Sequence, residues 1–160
     1  NILPDLLVLG KALGGGLLPV SAVVGKRAVI SLFKPGSHGS TFGGNPLAAA
    51  VGLEALSVLE EEGMVENSAK LGDYMMEQLR GINSPLIREV RGKGLWIGVD
   101  FDPAKIAARK ICEKMMARGI LSKETHETVV RFAPPLTISQ AEVDWCLEQF
   151  REVLREAEES

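Results

Sequence analysis

Lys11 is the residue of this chain best placed for covalent chemistry. It follows the apolar run Leu6-Leu7-Val8-Leu9 and Gly10, and it precedes Ala12-Leu13-Gly14-Gly15-Gly16. An amine held against apolar residues is kept from water, which disfavours its charged form. The neutral amine attacks an aldehyde and forms a Schiff base. The glycines would let a flat ligand approach the backbone closely. The competing reading is a surface lysine whose head snorkels to water from a turn. Spacing alone favours that second reading.

Two other segments carry polar chemistry. Ser37-His38-Gly39-Ser40-Thr41-Phe42-Gly43-Gly44-Asn45 offers hydroxyls, free backbone N–H groups and glycines just before a helix start, which is the make-up of an anion cradle. Hydrogen bonds to a charged oxygen contribute ~1.5–3 kcal/mol each, against ~0.3–1 kcal/mol for the helix dipole. Ser40, Thr41 and the amides would therefore dominate. A capped loop without a ligand is the equal alternative. Arg131 sits in the otherwise apolar Val129-Val130-Arg131-Phe132-Ala133. Its planar fork suits a carboxylate, either of a substrate or of a structural acid such as Glu89. The structural ion pair is the favoured reading from the residues alone.

Several classes are excluded. Gly10-Lys11 leads to Ala12 and Gly25-Lys26 to Arg27, so neither is a P-loop. Gly14-x-Gly16 does not continue as a dinucleotide fingerprint, because it leads to Pro19. His38 and His126 are isolated and read as hydrogen-bonded loop residues. Cys112 and Cys146 lack metal-ligand spacing and are too few for a disulfide framework, so no metal is expected and a reducing compartment, the cytoplasm or a mitochondrial matrix, is the default.

The elements that must position these residues follow from periodicity. Leu6–Leu9 reads as a fully buried strand and Val20–Val24 as a second. Residues 26–33 suit a short helix, and 34–44 a loop. Asn45-Pro46 starts a helix that ends near Gly63, with Leu47, Val51, Ala55 and Leu59 on one stripe. A second helix runs over 65–79 with Leu71, Met75 and Leu79 inward. Strands follow at 87–90 and 95–101, then a helix over 103–118 carrying Ala107, Ile111 and Met115 and stopped by Gly119. Further strands are expected at 120–122 and 129–133. Ser139-Gln140-Ala141-Glu142 is a capping box for a last helix with Val143, Leu147, Phe150 and Leu154 buried. Trp96 and Trp145 read as packing anchors, and Met75, Met76, Met115 and Met116 as core filler.

The chain has 160 residues, 46% hydrophobic and 24% charged, with a formal charge of −3. That mixture suits a globular fold and not a disordered one. The slight acidity argues against a nucleic-acid surface. No apolar run reaches the ~18 residues of a membrane span. A buried strand at the very start needs neighbours, so the chain is expected to be the C-terminal part of a longer protein.

Three segments together resemble one family. Leu9-Gly10-Lys11-Ala12-Leu13-Gly14-Gly15-Gly16 is similar to the cofactor-lysine segment of class III (omega-amino) aminotransferases, which use pyridoxal 5'-phosphate. The segment Pro35-Gly36-Ser37-His38-Gly39-Ser40-Thr41-Phe42-Gly43-Gly44-Asn45-Pro46 is similar to their phosphate-binding loop. Arg91-Gly92-Lys93-Gly94-Leu95, Lys123-Glu124-Thr125-His126 and Arg131-Phe132-Ala133-Pro134-Pro135-Leu136 resemble the members specific for ornithine.

The resemblance implies a fold type I, α/β enzyme. Residues 1–62 would be the C-terminal tail of its large pyridoxal-phosphate domain and 63–160 the small α+β C-terminal domain. It implies that Lys11 holds the cofactor covalently and moves the proton, that Ser40 and Thr41 bind its phosphate, and that Arg131 binds or gates the substrate carboxylate, partly by pairing with a glutamate earlier in the chain. It implies a homodimer whose phosphate loop serves the neighbouring subunit. The implied reaction passes the δ-amino group of L-ornithine to 2-oxoglutarate, giving glutamate-5-semialdehyde and glutamate; acetylornithine and 4-aminobutyrate aminotransferases are the alternatives. A non-catalytic folding or dimerisation module remains the reading of a different class. The aspartate that meets the pyridine nitrogen, the ring-stacking aromatic and most of the substrate pocket have no counterpart among these residues.

Overall fold

The computed structural model describes residues 2–159 and divides into two units, the first ending at Glu62 and the second beginning at Gly63. In the first unit β1 (Leu6–Leu9) pairs antiparallel with β2 (Ala22–Gly25), from Leu6 opposite Gly25 to Leu9 opposite Ala22. A 3-10 turn, Lys11–Gly14, lies between them. A four-residue helix α1 (Arg27–Ile30) and the long α2 (Pro46–Glu61) complete the unit. Asn45 caps α2 as its residue type predicts, its Oδ1 accepting from Ala48 N at 2.8 Å, with Pro46 in the first turn.

Two expectations are corrected in this unit. β1 is not fully buried: it has one partner strand, and Val8 is 75% exposed. The buried stripe of α2 is rotated by one residue from the expected one. Ala48 and Gly52 are buried, against the 3-10 turn, while Leu47 is exposed. Small residues let α2 approach that turn, and the larger apolar side chains at its next positions are left outward.

The second unit begins with α3 (Met64–Arg80). β3 (Ile87–Lys93), β4 (Trp96–Phe101), α4 (Ala108–Ala117), β5 (Lys123–Thr125), β6 (Val129–Phe132) and α5 (Gln140–Glu158) follow. The four strands form an antiparallel sheet in the order β3-β4-β6-β5. On β4, Ile97, Val99 and Phe101 point to one face and are fully buried, as a period of two requires. The three long helices cover that face, and α4 and α5 touch each other. Phe150 of α5 meets Phe101 and Phe132 edge-on at 6.4 and 5.2 Å between ring centroids.

Local signals place most of this unit. The capping box is formed, with Glu142 N donating to Ser139 Oγ and Ser139 N donating to Glu142 Oε2 at 2.8 Å. Val143, Leu147, Phe150 and Leu154 are buried, as are Leu71, Met75 and Leu79 of α3. Gly119 follows α4 at φ +85°. A Cβ on Gly72 of α3 would lie 2.1 Å from the carbonyl carbon of Gly94, so the helix rests directly on the β3–β4 turn.

The differences are specific. The strand expected at 120–122 forms instead at Lys123–Thr125, where it pairs with β6. α4 starts five residues late, because Asp102 caps a turn through Ala104 N, and Ala108 rather than Ala107 is buried. Trp96 and Trp145 are not core anchors: Trp96 is 67% exposed on the sheet face away from the helices. Met116 is exposed while the other three methionines named above are buried.

Candidate active site

β1 delivers the chain to Lys11. Gly10 is extended, and Lys11 then adopts φ +52° as the first residue of the 3-10 turn. A side-chain-bearing residue in this left-handed region is uncommon, and its strain of order 1–3 kcal/mol persists only where the surroundings enforce it. Here the hydrogen bonds Leu13 N to Gly10 O (3.2 Å) and Gly15 N to Ala12 O (2.9 Å) enforce it. Lys11 lines a cleft of about 490 Å³ with Gly16, Leu17, Leu18, Pro19, Val20 and Ser21. The side chain is exposed, which agrees with the surface reading that spacing favours and goes against the reading in which the flanking residues of this chain keep it from water.

The polar loop folds onto itself ahead of α2. Ser40 Oγ accepts from Gly43 N at 3.0 Å, which leaves the hydroxyl proton free to donate. Asn45 Nδ2 donates to Phe42 O at 2.9 Å and fixes the loop's end. A Cβ on Gly43 would lie 2.9 Å from the Ser40 Cβ, so the turn closes only on glycine. Ser40, Gly43, Gly44 and Asn45 line a second cleft of about 550 Å³. Thr41 is exposed beside it. The two clefts share Pro19, Val20 and Ser21, and Lys11 and Ser40 line different ones. An amine in one cleft and hydroxyl and amide donors in the other, at the start of a 16-residue helix, are a donor set that fits an aldehyde and a phosphate ester.

Arg131 lies on β6 of the second unit, half-buried, opposite Gly98 of β4 and Lys123 of β5. The expected structural ion pair with Glu89 is not formed, because Glu89 Oε2 accepts from Arg91 Nη1 at 2.6 Å. Among the described residues Arg131 makes no ion pair, so its guanidinium is open to a carboxylate. Asn67 Nδ2 of α3 donates to Leu136 O (2.7 Å) and Ile138 O (3.0 Å), anchoring the segment that leaves β6. His38 meets Phe33 edge-on at 6.4 Å, and neither His38 nor His126 makes a side-chain hydrogen bond among the described residues, contrary to expectation. Among the described residues no cluster suits a metal ion, and no helix is long and apolar enough to cross a membrane.

The sequence singles out Lys11 but carries no sign of its left-handed backbone, for which residue type gives no signal. Nor does it show that Lys123 stands opposite Arg131, which emerges only once the β5–β6 register is known.

Residues 1–154 match the family model of aminotransferase class-III. The chain belongs to the class-III aminotransferases. It is 51% identical over 158 residues to a Brevibacillus brevis protein named ornithine aminotransferase, covering 99% of this chain and 39% of that protein. A Bacillus subtilis protein of the same name is 53% identical over 157 residues, covering 98% of this chain and 38% of that one. Among solved structures, ornithine aminotransferase from Plasmodium yoelii superposes with a TM-score of 0.94 at 40% identity, covering 98% of this chain and 42% of that chain. Acetylornithine aminotransferase from Elizabethkingia anophelis superposes with a TM-score of 0.89 at 38% identity, covering 97% and 42%. The chain thus spans about 39% of the length of these curated relatives. Class-III aminotransferases are pyridoxal-phosphate enzymes of fold type I, and the α/β architecture here is a part of that fold.

Proposed function

We propose that this chain is part of an ornithine aminotransferase, which passes the δ-amino group of L-ornithine to 2-oxoglutarate and yields glutamate-5-semialdehyde and glutamate. The observation that carries this reading is the 51% and 53% identity, along almost the whole chain, to proteins named ornithine aminotransferase. In this reading residues 1–62 are the tail of the large cofactor domain and 63–160 the small C-terminal domain. The rest of the enzyme covers the apolar surface of β1 and β2, and the working unit is a homodimer. The isolated chain is inactive.

Pyridoxal phosphate, when bound, supplies an aldehyde for an amine and an electron sink for the carbon that loses its proton. The chain's residues do the rest. Lys11 Nζ would hold the cofactor and would serve as the general acid and base for the proton of the substrate carbon. Its left-handed backbone fixes the direction from which that amine acts. Ser40 and Thr41 hydroxyls and the adjacent amides would donate to the phosphate, in the neighbouring subunit's site. Arg131 receives a substrate carboxylate in its fork, and a glutamate from earlier in the full protein occupies it when no carboxylate is present.

Rates of the amino-donor half-reaction with the full-length protein test the substrate. L-Ornithine is expected to exceed N-acetylornithine and 4-aminobutyrate by at least about tenfold in kcat/KM. N-acetylornithine in front would replace this reading with the acetylornithine one, which the 38% identical structural relative favours.

A further inference from the structure

The sheet of the second unit has one face under the helices and one face bare. On the bare face one ladder row runs across all four strands: Arg91 of β3 opposite Gly98 of β4, Gly98 opposite Arg131 of β6, and Arg131 opposite Lys123 of β5. Residues opposite one another in a sheet share a face, with Cβ atoms ~4.5–5.5 Å apart. Three cations therefore stand in a line with a glycine between the first two.

The acids on this face are already engaged. The irregular register between Ile87 and Glu89 brings Arg88 to the face, where its Nη2 donates to both oxygens of Asp100 at 2.9 and 2.8 Å. Burial pushes the Asp100 carboxyl up, but hydrogen bonds from Thr128 and Arg88 and the charges of Arg88 and Arg91 outweigh it and hold it below its usual range. Glu89 is bonded to Arg91. Glu124, next to Lys123 in the chain but on the opposite face, accepts from Arg109 Nη1 at 2.7 Å, and that bond holds its carboxyl low. Among the described residues Arg131 and Lys123 form no ion pair and no side-chain hydrogen bond. Like charges directly opposed across a ladder destabilise a sheet, and such a conflict with local rules marks a functional place. Gly98 keeps the other flank of Arg131 clear.

From this juxtaposition we infer that Lys123 is a second anion contact beside Arg131, and that the pair selects a ligand with two negative charges, the dicarboxylic oxo acid or the amino acid formed from it. This inference rests on the reading of Arg131 under the proposed function and adds a specificity-determining residue to it. Arg131 takes one carboxylate bidentately. Lys123, a compact charge on a flexible stem, adds attraction that a dianion uses in full and a monoanion uses in part.

The test uses the full-length protein, with glutarate as an unreactive dicarboxylate and butyrate as its monocarboxylate counterpart, both measured by calorimetry. The wild type is expected to bind glutarate at least about tenfold more tightly than butyrate. Lys123→Gln is expected to weaken glutarate about tenfold and butyrate about threefold at most, and Lys123→Arg to restore most of the loss. The KM for 2-oxoglutarate should rise relative to the KM for pyruvate by a similar factor. Thermal unfolding of each variant separates a folding defect from a binding one; Lys123 is exposed on an edge strand. Equal glutarate affinity in wild type and Lys123→Gln, or equal losses for glutarate and butyrate, overturns the inference. Lys123-dependent glutarate binding in a protein that does not transaminate ornithine would refute the proposed function and leave the anion pair standing.

Discussion

A lysine at φ +52° is the most telling single residue in the chain. The sequence places Lys11 at the end of a strand among glycines, where spacing alone favours a surface lysine in a turn. Its assignment to the site rests on motif resemblance, because a left-handed backbone at a non-glycine leaves no mark in composition or spacing. Replacing Lys11 by Ala in the full-length protein should lower kcat for ornithine by at least about 10³-fold, within the range general acid–base groups command. Steady-state assay checks this. Two further strained residues, His126 (φ +50°) and Glu127 (φ +65°), lie in the β5–β6 turn. Glu127→Gly should raise the stability of the second unit by about 0.5–1 kcal/mol in chemical denaturation, since glycine adopts that region without a Cβ penalty.

Elements defined by local chemistry were legible, and elements defined by their partners were not. The capping box of α5 and the Asn45-Pro46 start of α2 depend on residues three positions apart, so the sequence states them outright. The position of β5 depends on its register with β6, and the inward face of α2 depends on how closely the 3-10 turn approaches it. Neither is written within the segment itself. Trp96 misleads for the same reason: alternation puts it on a strand, but which face the helices cover is a tertiary fact.

Ser139→Ala should cost the second unit about 1 kcal/mol. The same bonds, first from the Ser139 backbone and then from its hydroxyl, hold the Glu142 carboxyl below its ordinary value of 4.5. A carboxyl lowered on folding adds stability that is complete above its unfolded value and fades as pH falls through the lower folded one. The variant should therefore lose part of the acid-side slope below about pH 4.5 in pH-dependent unfolding. Gly72→Ala sets two effects against each other. Helix propensity favours alanine by ~1 kcal/mol, but the added Cβ would sit 2.1 Å from the Gly94 carbonyl carbon. Backbone cannot yield as a side-chain tip does, so the variant should be destabilised by about 2 kcal/mol or more in denaturant titration.

At the scale of the whole molecule the two units differ in kind. The second holds a continuous core from Leu71 to Leu154, with Phe101, Ile111, Met115 and Phe150 fully buried. In the first, Ala48 is the one buried apolar side chain among the described residues, and Leu17, Leu53 and Phe42 lie open. Hydrogen exchange on the 160-residue chain should show strong protection in α3, β4, α4, β6 and α5 and weak protection in β1, β2 and α2. Comparable protection in both units would contradict the burial pattern. The central claim is that Lys11 is the amine that holds the cofactor in the full enzyme. Borohydride reduction of the full-length protein, with cofactor added, followed by peptide mass mapping, tests it most directly. The account predicts a pyridoxyl-phosphate adduct on Lys11 that is absent from Lys11→Ala; an adduct on another lysine in the wild type, with Lys11 unmodified, would contradict it.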